Sequence, residues 1–118
     1  MTQETGITFD EAQQVRENCK RQIALADALT RLHDNPDFKM VFIDHYMEKE
    51  PARLVHLLGD SSVNMGDKKD AIREDVQERM IGIARFAEFI RGTYTLANMA
   101  ENTLQDLNTE ISQYDEMV

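Results

Sequence analysis

Met80-Ile81-Gly82-Ile83-Ala84-Arg85-Phe86-Ala87-Glu88-Phe89-Ile90-Arg91-Gly92-Thr93-Tyr94, in the middle of residues 72 to 111, carries the strongest periodic signal in the chain. Apolar side chains around it fall at Val76, Met80, Ile83, Ala87, Ile90, Tyr94 and Ala97, in alternating steps of four and three. That spacing keeps one seam of a helix turned toward a partner. It predicts a long helix over 67–111, opened by Asp67 and about 60 Å in length at a rise of roughly 1.5 Å per residue. Such a helix outreaches a compact domain of this size, so part of it is expected to project or to be covered by another chain.

Working outward, the rest of the chain also reads as helix, and the expected fold class is all-α: a helical hairpin or small bundle of about four helices with a long C-terminal helix. Residues 1–7 read as an N-terminal tail. Thr8-Phe9-Asp10-Glu11 has the form of a capping box, with Ile7 placed as a hydrophobic staple, and starts a helix over 8–33. Val15, Cys19, Ile23, Ala26 and Leu29 make its apolar stripe, widened by Leu25 and Leu32. Asn35-Pro36-Asp37 then gives a cap, a first-turn proline and an acid suited to the helix dipole.

Kinked helices follow over 36–58. The first carries Phe38, Val41, Phe42, Ile43, Tyr46 and Met47 on more than one side, which suits a helix pressed between two surfaces or lending a face to another subunit. Pro51 predicts a kink or short break at Glu50. Leu54, Val55, Leu57 and Leu58 are expected to be buried before Gly59 ends the helix. Gly59 to Gly66, with its small polar residues, reads as the one clear loop and the most mobile segment. Gly82 and Gly92 inside the long helix each cost about 1 kcal/mol against alanine, so close helix crossings are expected there.

The formal charge of −9 opposes direct binding to nucleic acid and favours basic protein partners or solubility. Cys19, the lone cysteine, makes no internal disulfide and reads as a buried, inert thiol. The N-terminus lacks the basic start and apolar run of a signal peptide, and Arg85, Glu88, Arg91 and Asn98 interrupt the one long apolar-rich stretch, so no membrane span and an intracellular, soluble product are expected. His33, His45 and His56 have no metal-ligand spacing, and Asp44-His45 are helical neighbours that point apart. No catalytic residue, cofactor or metal site is predicted, and the chain reads as a non-enzyme. Met40, Met47, Met65, Met80 and Met99 suit either core gaps or an adaptable surface. The candidate functional residues are a protein interface on the long helix: Val76, Met80, Ile83, Ile90, Tyr94, Leu104, Leu107 and Ile111.

The last residues are acidic. No Lys or Arg occurs after Arg91, and Glu101, Asp106, Glu110, Asp115 and Glu116 supply five of the nine net negative charges. Carboxylates at a helix C-terminus oppose the dipole. Residues 112–118 read as an acidic tail, and the whole segment 101–118 is expected either to be a solvated, frayed end or to become an ordered helix when a basic partner neutralises it and buries Leu104, Leu107 and Ile111.

Leu32-His33-Asp34-Asn35-Pro36-Asp37-Phe38-Lys39-Met40-Val41-Phe42, then Tyr46, Glu48, Glu50, Arg53-Leu54-Val55 and Asp60, followed by an Ile-rich helix ending in Ala97-Asn98-Met99-Ala100-Glu101, resembles a family of small acidic helical proteins of tailed bacteriophages. The shared pattern is Leu-x-x-Asn-Pro-Asp-Phe-Lys. The resemblance implies a phage protein of the virion or packaging group, made in the host cytoplasm and incorporated into the virion. It brings no site residues with it. The first functional expectation is a structural or assembly protein that oligomerises or docks on a virion component. The second is an acidic inhibitor that binds a basic surface of a host nucleic-acid-binding protein.

Overall fold

The structure, a computed structural model, describes residues 8–117, with side chains described for residues 8–110. It is all-α: α1 (Phe9–His33), α2 (Pro36–Phe38), a π-helical segment (Lys39–Lys49), α3 (Glu50–Leu58), α4 (Ser61–Asn64) and α5 (Lys69–Met117), with no strand among the described residues. The chain divides into two compact units, one of residues 1–29 and 92–118, the other Thr30–Arg91.

In the first unit, the capping box closes as expected. The Thr8 backbone N–H donates to the Glu11 carboxylate at 3.2 Å, and the Glu11 N–H donates to Thr8 Oγ1 at 3.1 Å, satisfying two donors that a helix start leaves open. The staple residue Ile7 and the tail 1–7 lie outside the described residues. Cys19 and Ala26 are buried and Val15, Ile23 and Leu29 half-buried, so the stripe of α1 is placed correctly. Leu25 does not widen it, being exposed. On α5 the buried positions in this unit are Ala97 and Ala100, with Leu104 and Leu107 half-buried and Glu101 exposed. A seven-residue repeat drifts by about 20° per heptad on a straight 3.6-residue helix, and the buried line accordingly slips to Ala100 and Leu107 instead of ending at Glu101. Helix α5 runs on to Met117, through the stretch expected to be a tail from residue 112.

The second unit holds the larger side chains. The Asn35 side-chain oxygen accepts from the amides of Asp37 and Phe38 at 2.9 and 3.1 Å, and Pro36 opens α2. From Pro36 to Leu58 the helix is continuous. At Glu50, where a kink or short break is expected, the winding changes: the Glu50 N–H donates five residues back, to the His45 carbonyl, and Pro51 falls in the first turn of α3. A wider turn ahead of Pro51 relieves the clash that its ring makes with the carbonyl four residues earlier in an α-helix.

Leu54 and Val76 have no exposed surface, and with Ile83 they centre a core against which Tyr46, Leu57, Leu58, Ile72 and Met80 pack. Val55, expected inside, is exposed. One helix turn cannot hide Leu54, Val55, Leu57 and Leu58 together unless it is covered all round.

The segment expected to be a mobile loop is a short capped helix. Asp60 accepts from the amides of Ser62 and Val63 at 2.8 and 3.4 Å and starts α4. Asn64 Nδ2 donates to the carbonyls of Leu58 and Asp60 at 2.9 and 3.0 Å, and Arg73 donates to Asn64 Oδ1 at 2.7 Å. The Lys68 carbonyl accepts from Ile72, so the first residue of the long helix is Lys69 and its cap position is Lys68, not Asp67. Gly66 is in the tightest place of the described glycines, since a Cβ would stand 3.1 Å from the Ser62 carbonyl oxygen, which would have to give by a few tenths of an ångström. Gly82 and Gly92 mark no close crossing. A Cβ on Gly82 would meet only the Tyr46 hydroxyl, at 3.8 Å, and one on Gly92 nothing within 4 Å.

Candidate docking surface and cleft

Of the interface residues read from the sequence, Val76 and Ile83 are consumed by the core of the second unit. Leu54 and its neighbours on the same chain cover them, so they are not available to a partner. Met80 packs against the same core and is half-buried, as is Ile90. In the first unit Tyr94, Leu104 and Leu107 are half-buried. The side chain of Ile111 lies outside the described residues. The seam is real, and in the second unit it is used within the chain.

Apolar surface instead lies elsewhere in the second unit. Met40, Val41 and Phe42 are consecutive and are 59%, 48% and 41% exposed. Runs of exposed apolar residues are costly to solubility and usually belong to a function. Beneath them is a ladder of rings. His33 meets Phe38 edge-on at 5.6 Å, Phe38 meets Phe42 at 5.2 Å, Phe42 stacks on Phe86 at 5.9 Å, and Tyr46 meets Phe86 edge-on at 5.6 Å. Centroid separations in this range are the favourable ones for aromatic pairs, each contributing about 0.5–1.5 kcal/mol beyond area burial. The ladder fastens the π-helical segment to α5 and holds Met40 and Val41 in place on a rigid element. The sequence did show apolar groups on two sides of this segment, but not which side would face outward, since that is set by the packing of Phe42 and Tyr46 on Phe86.

The same unit contains an open cleft of about 410 Å³ lined by His45, Tyr46, Glu50, Arg79, Gly82 and Ile83. Ile83 and Gly82 belong to the apolar part of its lining. Glu50 is only 18% exposed in its side chain and is held by Arg53, whose Nε donates to one carboxylate oxygen at 3.1 Å while Nη2 donates to the other. This two-pronged hydrogen bond is the main reason the Glu50 carboxyl sits below the usual range; partial burial opposes it, and the charges of Arg53, His45 and Arg79 add to it. Arg79 in turn directs Nε to Asp75 at 2.8 Å. No motif pointed to this cleft, because its members come from helices far apart in sequence and meet only through the core around Leu54 and Ile83.

Among the described residues no group of three or more His, Cys, Asp or Glu side chains is placed to hold a metal ion, and no helix is long and apolar enough to cross a membrane. In comparison with protein-family models, curated proteins and solved structures, nothing matches this chain.

Proposed function

We propose that this chain is a non-enzymatic bacteriophage structural or assembly protein that docks through helix packing, on further copies of itself or on a larger virion component. The observation that supports this reading is the exposed run Met40-Val41-Phe42, whose Phe42 ring is held by those of Phe38 and Phe86. Covering such a run with a partner's apolar surface removes it from water, at about 25 cal/mol per Å² of apolar area. The resemblance to small acidic phage proteins supplies the setting: synthesis in the host cytoplasm and incorporation into the particle. The test joins two measurements. Light scattering on the purified chain is expected to give a mass above the 13.6 kDa of one copy, or mass spectrometry of purified virions to find the chain. A Met40→Glu, Val41→Lys variant that keeps its helicity is expected to lose both. A monomer at every concentration, absent from virions, would overturn the proposal.

A second reading is favoured by the exposure of Glu101, Asp106 and Glu110 on a helix that carries no basic residue beyond Arg91. A host-directed inhibitor would use these carboxylates against a basic protein surface. Absence from virions together with salt-sensitive capture of a host nucleic-acid-binding protein would select it.

A further inference from the structure

We propose that the cleft of the second unit is a binding site for a carboxylate carried on a short apolar stem. Glu50, the acceptor in the cleft wall, is already engaged through both oxygens by Arg53. The donors are not. Arg79 commits Nε to Asp75 and leaves its two terminal nitrogens over, and neither the Tyr46 hydroxyl nor the His45 ring makes a hydrogen bond among the described residues. A carboxylate brings acceptors to the Arg79 nitrogens and the Tyr46 hydroxyl, which protein groups leave to water. Guanidinium matches the planar, two-oxygen geometry of a carboxylate, and such charge-assisted pairs are roughly twice as strong as neutral ones.

Two further features narrow the class. Glu50 and Asp75 place two negative charges beside the donors, which penalises a dianionic phosphate more than a single carboxylate. The volume, about 410 Å³, exceeds what a bare carboxylate fills, and Ile83, Gly82 and the Tyr46 ring belong to the apolar part of the lining. The carboxylate meets Arg79 and the Tyr46 hydroxyl while its stem lies against that apolar part. The site involves residues other than Met40, Val41 and Phe42, and so stands whether or not the chain docks through them.

The source is either a free organic acid or a glutamate side chain of a protein partner, and the test separates them. Phenylacetate and an end-blocked peptide with one central glutamate are titrated into the isotope-labelled full chain, with phenylacetamide as the neutral control. Saturable shifts of the Gly82 amide and the Arg79 Nε–H are expected with at least one of the acids below about 20 mM, the range of a single charge-assisted anchor. Phenylacetate assigns a small acid; the peptide alone assigns a partner's side chain. Phenylacetamide is expected to bind about tenfold more weakly than phenylacetate, and Arg79→Gln to weaken the bound acid by tenfold or more. Tyr46→Phe, which keeps the ring on Phe86, is expected to weaken it severalfold. Melting curves show that each variant is folded. No saturable shift with either acid, equal binding of acid and amide, or an Arg79→Gln variant that melts normally and binds as before would overturn the proposal.

Discussion

Arg73, in the first turns of α5, donates to the side-chain oxygen of Asn64 at 2.7 Å, and through that one amide the long helix is tied to the end of α3. The Asn64 amide nitrogen meanwhile donates to the carbonyls of Leu58 and Asp60, closing a helix terminus that Gly59 leaves without a left-handed cap. A basic residue opening a helix opposes the dipole, and Arg73 is stabilised by this neutral acceptor, not by an acid.

Asn64→Ala removes all of these bonds at a half-buried position. A loss of about 1–2 kcal/mol is expected, with faster hydrogen exchange at Ser62 to Gly66. Arg73→Ala removes only the third bond and is expected to cost less. Chemical denaturation checks both, and equal effects would show that the Arg73 link carries all of the stabilisation.

Core geometry gives a contrast between neighbours. Leu54→Ala empties a fully buried site and is expected to cost about 2–5 kcal/mol, whereas Val55→Ala, on the exposed side, changes stability by roughly 0.5 kcal/mol or less. Thermal melts followed by circular dichroism decide this.

On α5, Ile83→Asp places an unpaired charge in the core and is expected to unfold the second unit. Ile90→Asp, at a half-buried site, is expected to fold with a lowered melting temperature. If the two variants were equally damaged, Ile90 would have to be as deeply covered as Ile83.

Gly92→Ala meets open space inside a helix and is expected to stabilise by about 0.5–1 kcal/mol. Gly82→Ala is expected to do the same, since its methyl makes only an ordinary contact with the Tyr46 hydroxyl. A destabilised Gly92→Ala variant that remains monomeric would contradict the open space found there.

Acid should weaken the second unit. The Asp60 carboxyl is held below its ordinary range first by the Ser62 hydroxyl and then by the amides of Ser62 and Val63, and Glu50 is lowered chiefly by Arg53. A carboxyl whose folded pKa is depressed contributes stability that is present above its unfolded pKa and is lost as pH falls through the folded one. Melting temperatures are therefore expected to hold near about pH 6 and to drop below about pH 4. Asp60→Asn should flatten part of that drop, and an unchanged acid limb would remove Asp60 as a cause.

Part of the local structure was legible in the sequence. A capping box at Thr8 and Glu11, a cap and proline at Asn35 and Pro36, and a three-four repeat from Val76 to Ala97 are interactions between residues a turn or so apart, so neighbouring letters suffice to specify them. Tertiary structure alone decided which apolar faces are used up. Val76 and Ile83 read as an open seam until Leu54, from another helix, covers them, and Val55 reads as core until its neighbour takes the only buried place. Phe42 packs against Phe86 on the long helix while Met40 and Val41 stay outside, which neighbouring letters do not show. The cleft has the same origin: Tyr46, Glu50 and Arg79 share it because two helices pack on one core, and burial is a property of the packed pair that no single helix period contains.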